Sequence, residues 1–281
     1  MSGLLNRPWV LFAPLPATAV GIVIAGAHGV SWVSYAPNLL GLLLGSGLFY
    51  VAQRVTGDKL TAWMPGVAAV AILATLLGPG IDGVYRWLSV GPLRLNASSA
   101  FAPWLLIGLS ASRERPRMRA MVPVLVAQVA HVMQPDAGQA TALAAALIPL
   151  LVNPSRIKPT IGIPLASAVT FLAAAAWLRH DPLPAVDHVE RILVLASMTS
   201  VLLVVAVVLT GGGLLLPFVV PTETLLRGAV DQALACYFLA SFVVPFVGNF
   251  PVPVFGAGAG PVLGWYALLS VRAIATQSAA P

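Results

Sequence analysis

Charge is scarce in this sequence. Only 9% of its 281 residues are Asp, Glu, Lys or Arg, whereas 59% are hydrophobic, and the mean hydropathy is +0.92. A soluble globular chain carries roughly 25% charged residues, so the composition excludes an ordinary soluble domain. Cysteine is almost missing too: Cys236 stands alone in an apolar run, and no intramolecular disulfide is possible. No spacing of His, Cys, Asp or Glu resembles a structural metal site, and there is neither an internal repeat nor a low-complexity tail. With so little polar surface, what remains polar carries most of the information.

The apolar residues fall into runs near 9–27, 36–53, 62–81, 98–112, 120–134, 138–153, 161–178, 190–210, 229–247 and 259–275. At about 20 residues per span, these runs leave little chain for anything else. The reading is an all-α, polytopic membrane protein with about ten transmembrane helices, forming a single domain over 1–281 with no separate soluble domain. The fourth to sixth runs are short, which calls for tilt, local thinning or a re-entrant course; eight spans is the fallback. The first run, between Arg7 and Ala25-Gly-Ala27, reads as an uncleaved helix rather than a signal peptide. Gly (25) and Pro (24) are plentiful, and in membrane helices they serve close packing and kinks.

The net charge of +6 would invite a nucleic acid, but the positions of the cations argue against one. Ten spans place Arg7, Arg54, Lys59, Arg113, Arg115, Arg117, Arg119, Arg156, Lys158, Arg227 and Arg272 on one side, and only Arg86, Arg94, Arg179 and Arg191 on the other. That is the positive-inside bias. It makes the first side the cytoplasm, with both termini there, and contacts with anionic lipid headgroups account for the excess.

Three polar islands then face outward. Residues 82–96 (DGVYRWLSVGPLRLN) bring Arg86, Trp87 and Tyr85 to the headgroup level, as an interfacial anchor or as a binding surface. Gln134-Pro135-Asp136-Ala137-Gly138 forms a turn whose carboxylate must stay near water or find a partner. Gln128 and His131 precede it on one helix face, and His131 reads as a packed, hydrogen-bonded histidine rather than a ligand. Residues 179–191 (RHDPLPAVDHVER) are the densest cluster of ionisable groups. Asp181, Asp187 and Glu190 are each a candidate general base there; the competing reading is a polar turn in which Asp187 and Glu190 cap the next helix.

The order of these islands resembles the SEDS family (FtsW/RodA/SpoVE). Arg86, Trp87, Gly91, Pro92 and Leu93 match its RW-x-x-(L/V)G element; Gln134, Pro135, Asp136 and Gly138 match QPD-x-G; and Pro251, Pro253 and Gly258 match a final P-x-P-x-x-x-x-G. The resemblance covers most of the chain. It implies a multi-pass protein of the bacterial inner membrane, engaged in cell-wall synthesis, cell division or cell shape. Such a protein would bind or polymerise undecaprenyl-linked peptidoglycan precursor beside a single-span partner such as a class B penicillin-binding protein. Asp181, in His180-Asp181-Pro182, is the position fitting the family's essential outer-loop aspartate. If the chain is active, the resemblance implies a lipid II-type glycosyltransferase, with Asp181 as base and with Arg86, Trp87, Gln134 and Asp136 contacting substrate. No cofactor or metal is indicated; a divalent cation is compatible with the resemblance but not called for by any residue pattern.

The chain also departs from the pattern. Where the family has QPSE-x-AK, it reads Asn96-Ala-Ser-Ser-Ala-Phe101, and the long seventh-to-eighth loop shrinks to about a dozen residues. These losses favour an alternative, a non-catalytic subunit that keeps the scaffold to bind a partner or a lipid. A third reading is a small transporter with a polar path through Asp136, His131 and Asp231.

Overall fold

The structure is a computed structural model, and it describes residues 9–54, 58–91, 93–110, 118–220 and 225–278. Arg7, Pro92 and the basic residues Arg113, Arg115 and Arg117 lie outside the described residues, as do the side chains of Lys59 and Arg227.

Helices dominate. In chain order they are α1 (Trp9–Phe12), α2 (Pro14–Ala27), α3 (Ala36–Ala52), α4 (Asp58–Ala74), α5 (Ala97–Phe101), α6 (Ile107–Ser110), α7 (Met121–Met133), α8 (Ala137–Leu151), α9 (Pro159–Trp177), α10 (Ile192–Thr199), α11 (Val201–Val219), α12 (Leu225–Val243) and α13 (Ala259–Ser278). Most of the described residues in the apolar runs are helical. Among the described residues, five stretches are long and apolar enough to cross a membrane: Trp9–Ala27, Trp32–Ala52, Pro159–Trp177, Val201–Val219 and Gly228–Phe246. The helical stretches at Ala97–Ser110, Met121–Met133 and Ala137–Leu151 are shorter. At 1.5 Å per residue, a helix the length of α8 extends about 22 Å, less than the roughly 30 Å hydrocarbon core.

Two local details depart from the sequence reading. Within the predominantly helical fold, β1 (Trp87–Val90) and β2 (Leu93–Asn96) form an antiparallel hairpin, with Trp87 opposite Asn96 and Val90 opposite Leu93. Alternation in LRLN suits a strand, and Gly91 takes φ 59°, a turn conformation glycine accepts without steric cost. The eighth apolar run is not one helix. Ser200 is extended (φ −166°, ψ 153°) and breaks it, and the Ser200 hydroxyl accepts the Leu203 amide at 3.2 Å to start α11.

Packing follows the small residues. α8 lies against α9 and α12, and α13 lies against α3 and α5. At the α5–α13 crossing Gly264 meets the Ser99 carbonyl so closely that no side chain would fit. Phe218, Phe238, Trp265 and Tyr266 form a buried aromatic core. α11 is the opposite case: Val201, Leu202, Val208 and Leu209 are all exposed, an apolar surface suited to lipid.

Candidate functional site

The three polar islands converge on one guanidinium. Arg86 ends the segment before β1, and its backbone carbonyl accepts the Ala97 amide, so the hairpin holds it from both sides. Its side chain is 4% exposed. Nη2 donates to Asp181 Oδ2 at 2.6 Å and to the Pro135 carbonyl, Nη1 donates to the Asn249 carbonyl at 3.4 Å, and Nε stands 4.0 Å from Asp136 Oδ1. The Phe250 ring lies beneath, its centroid 5.1 Å from the guanidinium carbon, at cation–π range. These partners offset the desolvation cost of burying a guanidinium that stays charged.

Each carboxylate is held locally. Asp136 caps α8, its Oδ1 accepting the Gln139 amide at 3.2 Å, and it is 1% exposed. Helix N-termini favour such a charge. Its Oδ2 has no hydrogen-bond partner, and neither has Arg86 Nε, among the described residues. Asp181 is more open, its side chain 20% exposed, and its Oδ1 accepts the Leu183 amide at 3.2 Å. Between Asp181, Arg179, Trp177, Pro135, Asn249 and Phe250 opens a cleft of about 330 Å³. Its size suits part of a polar substrate.

Glu190 contributes from the far end of the same loop. Burial pushes its carboxyl above the usual carboxylate range, and the nearby Asp181 charge acts in the same direction; two backbone amides, including that of Val186 at 2.7 Å, and Arg86 oppose the shift. This bond replaces the expected cap: α10 starts at Ile192 after Arg191, with no side-chain cap from Asp187 or Glu190. Asp187 is exposed to solvent.

Behind Asp136 runs a buried polar network. Gln134 donates to the Ile72 carbonyl at 2.7 Å and to Thr75 Oγ1 at 2.6 Å, and its Oε1 accepts Ser98 Oγ at 3.3 Å. Ser98 also bonds His131 Nε2 at 3.1 Å, and His131 Nδ1 bonds Gln128 Oε1 at 3.1 Å. Gln128 and His131 do share a face, and His131 is a packed, hydrogen-bonded histidine. Ser99 accepts from Gln139, whose Oε1 accepts the Tyr237 hydroxyl. So Ser98 and Ser99 tie α5 to α7 and α8.

Of the sequence candidates, Arg86, Asp136 and Asp181 come together. Gln134 commits both amide hydrogens inside the protein, and Trp87 belongs to the hairpin, half-buried. Asp231 pairs with Arg272 instead of joining His131 and Asp136. Two residues were missed: Asn249 and Phe250, the pair immediately before Pro251. Gly138 explains why Phe250 sits there, since a Cβ at 138 would stand 2.6 Å from its ring. Among the described residues no three His, Cys, Asp or Glu side chains gather as a metal cluster.

The closing motif has its own reader. Asn38 Nδ2 donates to the carbonyls of Val254 (3.3 Å) and Gly256 (2.9 Å), and its Oδ1 accepts the Gly258 amide at 2.7 Å. This buried side chain fixes the PVPVFGAG turn, whose Val252 and Ala257 amides in turn bond the carbonyls of Val189 and His188. The outer loop is thereby seated on it.

No protein-family model and no curated protein sequence matches the chain. Solved structures do. It is similar to the rod shape determining protein RodA of Thermus thermophilus (TM-score 0.69, 18% identity, 98% of each chain covered) and to an aspartate-to-alanine mutant of it (0.69, 18%, 98% and 99%). A chain of a peptidoglycan synthase complex that coordinates polymerization and crosslinking gives a TM-score of 0.65 at 18% identity, covering 98% of this chain and 99% of that one. End-to-end coverage at that similarity shows that the chain has the fold of RodA, a polytopic membrane fold.

Proposed function

We propose that the chain acts in cell-wall synthesis at the bacterial inner membrane and engages an undecaprenyl-linked peptidoglycan precursor at the Arg86–Asp181 cleft. One observation carries this reading: a buried guanidinium lies under a single partly exposed carboxylate at the edge of a cleft. Glycosyl transfer from a lipid diphosphate needs those two functions. The acceptor hydroxyl attacks the anomeric carbon as the bond to the diphosphate oxygen breaks. Asp181 takes the hydroxyl proton, and Arg86 stabilises the charge arriving on the leaving diphosphate. Because Asp181 now sits on Arg86, a diphosphate oxygen has to replace it there, which releases the carboxylate to act as base. Asp136 keeps the guanidinium oriented from behind. About ten spans, with both termini cytoplasmic and this cleft outside, agree with the bias of Lys and Arg along the sequence.

Polymerisation of lipid-linked precursor by the purified chain tests the proposal, with Asp181→Asn alongside. Product from the wild type and its near loss in Asp181→Asn is the expected outcome; equal product removes Asp181 from the mechanism. Single cysteines at the exposed positions Asp187→Cys and Lys158→Cys, in a Cys236→Ala background, should label from the outer and cytoplasmic faces respectively.

The second reading, a non-catalytic subunit, draws on Ser98 and Ser99. Their neutral hydroxyls are committed to His131, Gln134 and Gln139, and neither serine lines the cleft. A similar structure is described as part of a peptidoglycan synthase complex, which makes a single-span partner such as a class B penicillin-binding protein the natural bait. Co-purification with such a partner and no polymer product would favour this reading.

A further inference from the structure

The shortened outer loop raises a mechanical question. Between α9 and α10 the segment around Asp181 has no regular hydrogen-bonding pattern, from residue 180 through 186. Yet Asp181 meets Arg86 at 2.6 Å. A base must be held in place to be useful, and an irregular segment cannot do that through its own ladder.

Asn249 supplies the hold. Its Nδ2 donates to the Leu183 carbonyl at 2.8 Å, while the Leu183 amide donates to Asp181 Oδ1 at 3.2 Å. Leu183 is thus gripped at its carbonyl by Asn249 and at its amide by Asp181. The Asn249 backbone carbonyl meanwhile accepts Arg86 Nη1 at 3.4 Å. One residue therefore touches the guanidinium directly and the carboxylate's loop through a single intervening residue. Its position is itself fixed: the next residue, Phe250, is 5% exposed, stacks edge-on against Trp177 with centroids 5.5 Å apart, and fills the space over Gly138 and Gly248. Asn249 also borders the cleft beside Asp181.

We infer that Asn249 is a positioning residue for Asp181: through Leu183 it sets where the carboxylate stands relative to Arg86, standing in for the restraint that a longer loop would give. The inference rests on Asp181 being the base, and its test separates the two. Asn249→Ala removes the amide. Asn249→Asp keeps the shape but replaces the donor with an acceptor facing the Leu183 carbonyl.

The first readout needs no activity. Amide hydrogen exchange is followed in the full-length protein in lipid nanodiscs, over residues 179–191 and, as a reference, over α12. Loss of one such bond should speed exchange in the loop about tenfold in both variants, leaving α12 unchanged. The second readout is polymerisation of lipid-linked precursor, where kcat should fall about tenfold and KM stay within about twofold, since binding through Arg86 persists. Unchanged loop exchange overturns the inference whatever the activity, and so does faster exchange spread equally over α12, which marks a merely structural side chain. Faster loop exchange with unaltered kcat overturns it as well. If the wild type makes no polymer while the loop alone loosens, the glycosyltransferase reading fails and the hold of Asn249 on Asp181 stands.

Discussion

Gly138 and Phe250 are complementary surfaces: a methyl group added at 138 would stand 2.6 Å from the Phe250 ring, and a Cβ at 248 would meet the same ring at 2.6 Å. The ring is confined on both sides while it supports Arg86. Gly138→Ala sets two effects against each other. Alanine improves the first turn of α8 by up to about 1 kcal/mol, whereas forcing apart a close contact costs about 1–3 kcal/mol. With Phe250 packed between Gly138, Gly248 and Trp177, the clash is expected to win. Thermal unfolding in detergent should show a lower Tm for Gly138→Ala, and Phe250→Leu in the same chain should restore part of it. A neutral or raised Tm would mean that the ring moves freely.

Arg86 serves acceptors on three segments, at Pro135, Asp181 and Asn249, with Asp136 alongside. Arg86→Ala leaves the buried Asp136 charge without a counter-ion, and breaking a buried pair in this way costs about 3–5 kcal/mol. Arg86→Lys keeps the charge but replaces a planar fork with a single ammonium, so it cannot reach all these acceptors. The expected order of stability, from denaturation in mixed micelles, is wild type above lysine above alanine. Lysine equal to wild type would show that charge alone organises the site.

The sequence made the helices and the polar islands legible because both are local properties: runs of apolar residues, and breaks in them. Arg86, Asp136 and Asp181 were recognisable because a charge between apolar runs is costly and therefore conspicuous. Asn249 and Phe250 gave no such signal. An asparagine before a proline-rich turn and a phenylalanine in an oily chain are both unremarkable, and what matters about them lies at Leu183 and Gly138, far along the chain. The hairpin had a local signature in the Gly91-Pro92 pair and the alternation of Leu93-Arg94-Leu95-Asn96, but reading the segment as an anchoring loop passed over both. The break at Ser200 carries neither proline nor glycine, so hydropathy passed straight through it.

Glu190 gives the loop a pH dependence of definite sign. Its folded-state carboxyl lies above the ordinary range, mainly through burial, so the folded chain holds that proton more tightly than the unfolded chain does. Stability from this group is complete below the ordinary glutamate range and is lost as pH rises through the raised value. Glu190→Gln has no proton to lose. Its Tm relative to wild type should therefore improve as pH increases from about 4 to about 8. A constant difference across that range would show that Glu190 titrates normally.

Asp231 and Arg272 test whether the far half of the bundle conducts or clamps. Arg272 is 2% exposed; its Nε donates to Asp231 Oδ1 at 2.8 Å, and its Nη2 donates to Oδ2 at 3.3 Å and to the Val220 carbonyl at 3.0 Å. The pair thus ties α12 and α13 to the end of α11. On α12, Asp231 lies six residues before Tyr237, which reaches the Asp136 neighbourhood through Gln139; six residues make about 9 Å of helical rise. A clamp and a transport path respond differently to Asp231→Asn. In a clamp, the guanidinium loses its counter-charge while still buried, stability falls by about 3–5 kcal/mol, and replacing both residues with Leu and Met of similar volume recovers most of it. In a path, Asp231→Asn abolishes substrate flux in proteoliposomes, and the apolar pair abolishes it too. The bidentate geometry favours the clamp, so the expected result is a stable, fully assembled Asp231→Leu/Arg272→Met double variant whose behaviour at the Arg86–Asp181 cleft matches wild type.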